Sequence, residues 1–206
     1  MLLYSRVVTA QGSPRRILAY ALEATAYVNA NSPLEVTCWS GGFGYPGGTV
    51  IIGAFVESQA ALASALGGLI AQDGFNAMIE AGPVSSRSDM LREVVHGQPS
   101  GPPPIGAVAT VTTAAAVIDR LADATVWAVE IAQHVESVTG SPVAVLADVY
   151  GQMGTLTWIG TGDDAAAADD ARAKLRANAS YVAKLEGSRG LFVPGTGHVA
   201  SLTRIG

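Results

Sequence analysis

Val36-Thr-Cys-Trp-Ser-Gly-Gly-Phe-Gly-Tyr-Pro-Gly-Gly-Thr-Val-Ile-Ile-Gly-Ala-Phe-Val56 is a β-rich run, a glycine-filled turn and a second β-rich run. The arrangement returns as Val143-Ala-Val-Leu-Ala-Asp-Val-Tyr-Gly-Gln-Met-Gly-Thr-Leu-Thr-Trp-Ile159. Runs rich in Val, Ile, Thr and aromatics around glycine turns read as β-hairpins. Each hairpin follows a segment with helical spacing that ends in Ser-Pro (Ser32-Pro33, Ser141-Pro142), and each leads into a further helix. The first turn holds Gly42-Phe-Gly44-Tyr-Pro-Gly47, literally G-x-G-x-x-G. A dinucleotide site needs that motif to open a helix. Here it opens Thr49-Val-Ile-Ile, a strand, so a turn with positive φ angles is the reading.

Outward from the hairpins, the two halves match. Leu2 to Thr9 reads as a strand, and Ser13-Pro14 starts a helix with Ile17, Ala21, Ala24 and Val28 on one face. Beyond the first hairpin, Ser58 caps a helix carrying Leu62, Leu66 and Leu69, a short helix follows Asp73-Gly74, and Gly82-Pro83 with two serines forms a loop before a strand from Asp89 to His96. The second half gives a strand Gly106–Thr112, a helix from Ala114 to Thr139, the second hairpin, and a helix opened by Asp163-Asp164 with Leu175, Asn178, Val182 and Leu185 on one face. The strand Val199–Ile205 closes the chain. Two βαββαβ units define an α+β fold of tandem ferredoxin-like repeats, their antiparallel sheets packed into an α/β barrel. The expected division is 1–97 and 105–206, joined by the proline-rich connector 98–104.

In 206 residues, 49% hydrophobic and 14% charged, a packed core is affordable. The net charge of −5 gives no reason to expect nucleic acid or an anionic membrane. Met1-Leu-Leu-Tyr-Ser-Arg lacks the apolar stretch of a signal peptide, and no uninterrupted apolar run is long enough to span a bilayer, so a cytoplasmic protein is expected. Cys38, the single cysteine, reads as a buried and inert thiol.

The glycine hairpins, the acidic or serine helix caps (Glu57-Ser58, Asp163-Asp164), the Ser-Pro pairs and the final strands resemble the dimeric α/β-barrel superfamily in a fused, two-repeat form. The tail, Leu191-Phe-Val-Pro-Gly with Leu202-Thr-Arg-Ile, looks most like the NIPSNAP-type branch. The resemblance spans nearly the whole chain and implies a ligand cavity between sheet and helices or inside the barrel. It implies a small-molecule protein, with cofactor-free monooxygenases and cyclases of aromatic polyketides among the relatives. Proteins without catalysis that bind or assemble, and haem proteins, belong to the same superfamily and stay open as alternatives.

His134 is the prominent ionisable candidate. Trp127, Glu130, Ile131, His134 and Val138 share one helix face, and a carboxylate four residues before an imidazole can orient it as an acid/base group. Trp39, Tyr45, Tyr150 and Trp158 lie on the hairpins, where facing sheets would bring some of the rings together as walls for a flat apolar or aromatic ligand. Asp148, a charge within a strand, is placed to orient such a ligand. His96, His134 and His198 lack metal-ligand spacing, so neither a metal nor a cofactor is expected. A small apolar or aromatic ligand is the expected partner, with a homo-oligomer as a further expectation.

Overall fold

The structure is a computed structural model that describes residues 1–97 and 101–206. Residues 98–100, the first part of the expected connector, lie outside the described residues. In chain order the elements are β1 (Leu2–Ala10), α1 (Pro14–Asn31), β2 (Val36–Gly41), β3 (Thr49–Val56), α2 (Gln59–Ile70), α3 (Asp73–Ala81) and β4 (Val84–His96). Then come β5 (Val108–Ala115), a 3-10 turn (Ile118–Arg120), α4 (Leu121–Thr139), β6 (Val143–Asp148), β7 (Thr155–Gly162), α5 (Ala165–Ala177), α6 (Ala179–Glu186) and β8 (His198–Arg204).

All strand pairs are antiparallel, and the order β1-β3-β2-β8-β5-β7-β6-β4 closes on itself. Each half supplies four adjacent strands, so the expected α+β barrel of ferredoxin-like units is present. The units join edge to edge, at a β2–β8 seam and a β4–β6 seam, which leaves no free sheet edge.

Alternation along each strand divides the side chains between two faces. The outward face packs on the helices: Tyr4, Val36, Ala54 and Leu91 meet Leu62, Leu69 and Phe75 in the first half. Val143, Val145 and Leu156 meet Ala124, Ala128 and Ala132 of α4 in the second. The inward face is filled by side chains, with Ile51, Ala109, Val111 and Leu202 forming its apolar centre. Arg92 and Asp148 are register partners on the β4–β6 seam and bridge it with an Nε–Oδ1 distance of 2.8 Å.

Strand pairing overrides local preference at two places and a side-chain cap decides a third. β4 begins at Val84, not Asp89, because β1 pairs with it back to Ala10, and Ser85 donates to the Thr9 carbonyl. β5 runs on to Ala115, where a helix was expected, because β7 pairs with it as far as Thr155. The helix expected across Asn178 is broken there. Asn178 adopts extended backbone and its side chain accepts from Tyr181 N at 2.8 Å, capping α6.

The first glycine turn is stitched to β8: Gly42 N donates to Ser201 O and Ser201 N to Phe43 O, both at 2.8 Å. Gly44 has φ +86°, and a Cβ there would stand 2.6 Å from the Val199 carbonyl oxygen. The G-x-G-x-x-G therefore serves the seam.

Candidate functional site

Matching hydrogen bonds show which residues of the two repeats occupy equivalent places. Asn29 Oδ1 accepts from Val36 N, and Glu136 Oε1 accepts from Val143 N. Ser32 Oγ donates to Val28 O and accepts from Leu34 N, as Thr139 Oγ1 does with Val135 O and Ser141 N. The Ser-Pro pairs are thus two residues out of step. Ser58 caps α2 as Asp164 caps α5. In the barrel, Arg6 lies between Ile52 and Asp89, and Thr112 between Trp158 and Val199.

Against this alignment the halves differ in one respect. The space between sheet and helices is nearly closed in the first repeat, a cavity of about 90 Å³. In the second it opens to about 450 Å³. The cause lies in the side chains. Leu62 of α2 corresponds to Ala168 of α5, Ala54 to Gly160 and Val56 to Gly162. Tyr4, Arg6 and Asp89 form a hydrogen-bonded cluster, Arg6 holding both carboxylate oxygens at 2.7 and 2.8 Å. Thr110, Thr112 and Val199 stand at those places in the second repeat and leave the volume empty.

The wall of the larger cavity is aromatic at one end. Trp127 of α4, Trp158 of β7 and Phe192 of the tail meet edge-on, with ring centroids 5.5–6.1 Å apart. Each indole is fixed by its N–H, Trp127 to Lys184 O at 3.1 Å and Trp158 to Ala128 O at 3.0 Å. Ile131, Val135 and Leu175 add apolar surface, while Thr110, Thr112, Ser141, Arg172 and Tyr181 bring polar atoms. Burial pushes the Tyr181 hydroxyl above its usual value of 10.0, so it is a donor at neutral pH. An apolar slot with a few hydroxyls and one guanidinium can hold a planar ring system and read its oxygen substituents.

The other candidates from the sequence fall elsewhere. Trp39 and Tyr45 pack beside Ile51 and Val111 on the opposite face of the sheet, inside the barrel. Asp148 is occupied by Arg92. Tyr150 is exposed and donates to Gln59 Oε1 at 2.8 Å. Of the hairpin rings only Trp39 and Tyr45 share the barrel interior among the described residues; Trp158 does not join them, because Trp39 and Trp158 project from opposite faces, and Tyr150 is at the surface. Glu130 is exposed, and the partner of the His134 ring is Ser180, Nε2 to Oγ at 3.0 Å. Ser180 also donates to the Asn178 cap. Tyr27, the equivalent of His134, makes a similar tie to Gln72 at the start of α3. Cys38 is fully buried, and burial pushes its thiol up, as expected of an inert thiol.

Among the described residues neither His134 nor any other histidine lines the cavity, and Arg172 is its one cation. That does not fit haem, which needs an axial ligand and partners for its propionates. Among the described residues no His/Cys/Asp/Glu group could hold a metal ion, and no helix is long and apolar enough to cross a membrane. Sequence reasoning found Trp127 and Trp158 but missed Phe192, Thr110, Thr112, Arg172 and Tyr181. The Leu62/Ala168 exchange between helices with aligned caps was the available signal.

No protein-family model matches the chain, and no curated protein matches it in sequence. Solved structures do resemble it. A candidate monooxygenase from Fusobacterium nucleatum superposes with a TM-score of 0.74 at 9% identity, over 100% of this chain and 92% of that one. An anthrone oxidase-like protein gives 0.68 at 15%, over 100% and 91%. A candidate monooxygenase from Lactobacillus acidophilus gives 0.66 at 13%, over 98% and 93%. The chain shares its ferredoxin-like α/β-barrel fold with these monooxygenase-like proteins.

Proposed function

We propose that this chain binds a planar aromatic small molecule in the cavity beneath α4, α5 and α6, and that it acts on that molecule as a cofactor-free monooxygenase. The observation that carries the reading is the cavity of about 450 Å³, walled by Trp127, Trp158 and Phe192, at a place the first repeat fills with side chains. An unfilled apolar space costs stability, so its retention in one repeat of two calls for an occupant. The similarity to candidate monooxygenases and an anthrone oxidase-like protein supports oxygenation as the chemistry. In such a reaction a ring methylene takes one atom of O₂ to become a carbonyl, and its two hydrogens leave with the other atom as water. We assign His134 to holding α6 on α4, and the cavity wall to the ligand.

The test is oxygen uptake with reduced tricyclic ketones such as anthrone, with no cofactor added, alongside indole fluorescence to report binding. Quenching of Trp127 and Trp158 with O₂ consumption is expected. Absence of both overturns the proposal. Quenching without uptake favours the alternative of a binding protein. One observation supports that alternative: among the described residues no carboxylate or imidazole lines the cavity, and burial holds the Tyr181 phenol above its usual value, so the wall offers no base.

A further inference from the structure

We infer that the ligand of this cavity carries an anionic oxygen on its aromatic ring system, and that Arg172 and Tyr181 read it. This rests on the aromatic-site reading above and names the ligand more closely. The argument comes from comparing the repeats at places the fold makes equivalent. Arg172 stands where α2 has Leu66, and Tyr181 where α3 has Phe75. In the first repeat that pair is apolar and belongs to one packed cluster. In the second, the same two places bring a guanidinium and a phenol to the cavity wall. The fold plainly accepts Leu and Phe there, so packing does not explain the polar groups.

Their surroundings leave both available. Tyr181 is half-buried, and among the described residues its hydroxyl has no hydrogen-bond partner; only its backbone N–H is bonded, to the Asn178 cap. Arg172 donates from Nη1 to Asp169 at 3.0 Å, an exposed pair three residues apart on one helix. Such a pair is weak in water and leaves the other guanidinium N–H groups free. Among the described residues no carboxylate lines the cavity, so none on its wall repels an anion. Deeper in, Thr110 and Thr112 replace the Tyr4–Arg6–Asp89 cluster with neutral hydroxyls, which suit the uncharged part of the ring system.

The experiment measures fluorescence affinities of anthracene-2-carboxylate, its neutral carboxamide, and 2-hydroxyanthracene on either side of its phenol pKa. The wild-type chain is compared with R172L, Y181F, D169A and A168L. The first two substitutions install the residues of the first repeat, so folding should be retained, and circular dichroism checks this. Wild type should prefer the carboxylate over the carboxamide by about tenfold, the worth of one charge-assisted hydrogen bond. R172L should abolish that preference while leaving the carboxamide unchanged, and D169A should preserve it. Y181F should weaken the oxygen-bearing ligands and leave anthracene itself unaffected. If phenolate gains and carboxylate does not, the anionic oxygen is phenolic; the reverse makes it a carboxylate. Equal affinity for carboxylate and carboxamide together with no gain for the phenolate, or equal loss of charged and neutral ligands in R172L, overturns the inference. A168L, which rebuilds the Leu62 side chain in the cavity, should abolish binding of every ligand. If it does not, or if wild type binds none of them, the site reading itself fails.

Discussion

Removing the Asp148 carboxylate separates a seam role from a ligand role at a residue that the sequence alone offers as a binding group. Asp148 and Arg92 face each other across the β4–β6 seam with 2.8 Å between Nε and Oδ1, and each side chain is only 11% exposed. Arg92 also reaches Met90 Sδ at 2.9 Å, so its charge is otherwise surrounded by weak partners. Asp148→Ala strands a guanidinium inside the barrel. Deleting one partner of a buried pair costs about 3–5 kcal/mol, and the residual solvent contact here argues for the lower end, about 3 kcal/mol. In a chain of this size each kcal/mol moves Tm by about 2–4 °C, so a fall of about 6–12 °C is expected by scanning calorimetry. Replacing both charges, Arg92→Met with Asp148→Leu, should return stability to within about 1 kcal/mol of wild type, because the two desolvation costs vanish with the attraction. Affinity for aromatic ligands should be unchanged in all variants, since the pair projects into the barrel and the cavity lies on the other face. A loss below about 1 kcal/mol in Asp148→Ala, or a loss of ligand affinity at unaltered stability, would refute the reasoning.

Five other outcomes follow from the same structure. His134→Ala should lower stability by about 1 kcal/mol through loss of the Ser180 tie, with ligand affinity unaltered; abolished turnover at unchanged Tm would restore His134 as an acid/base group. Gly44→Ala should cost about 2–4 kcal/mol, from positive φ and collision with the Val199 carbonyl, while Gly47→Ala, with open space around it, should cost under about 0.5 kcal/mol; equal effects in denaturant titrations would count against the seam geometry. Tyr4, Tyr45 and Tyr181 have hydroxyls held above the usual 10.0 chiefly by burial, so their stabilisation is complete below that pH and is lost as pH rises past it. Asp89, held below the usual 3.8 chiefly by its Arg6 hydrogen bond, contributes stability above that range that is lost as pH falls through its folded value; Asp89→Asn should flatten this acid limb in pH-dependent unfolding. Amides of α5 and α6 should exchange faster than those of α2 and α3 and slow down when an aromatic ligand binds; equal protection in the free protein would contradict the cavity.

The fold was legible because its signals are local and occur twice. The hairpins, the caps at Ser13, Ser58 and Asp164, and the apolar stripe of α1 all specify elements without reference to distant residues. The starts and ends that went astray, at Val84, Ala115 and Asn178, were decided by strand pairing or by a side-chain cap. The candidate site was legible only in part. Trp127 and Trp158 were found because tryptophans are conspicuous, but a strand's two faces differ by one residue, and Trp39 and Trp158 take opposite ones. His134 and Glu130 do share a helix face, yet helical spacing cannot tell that Ser180 arrives from α6 to engage the ring. The cavity itself is a matter of absent side chains, and a motif search attends only to residues that are present.

That absence is also what makes the second repeat energetically uneven. A buried Leu replaced by Ala forfeits about 2–5 kcal/mol when the space does not collapse. Here Leu62 gives way to Ala168 while Val56 gives way to Gly162. The second repeat recovers part of this elsewhere: Ala124, Ala128 and Ala132 let α4 lie flush on Val143, Val145 and Leu156, and the Trp127–Trp158–Phe192 cluster pins the tail. The recovery does not reach α5 and α6, neither of which has a buried residue, whereas α2 and α3 bury Leu62, Ala65, Leu69 and Phe75. These two helices therefore cover a space without being anchored in it. Whatever fills that space supplies their missing contacts, and a ligand at a hundred times its Kd adds about 2.7 kcal/mol to the folded state. On the proposed reading function and stability are coupled at this one place, so a rise in Tm of about 5–10 °C on adding an aromatic anion is expected, and no rise would count against that reading.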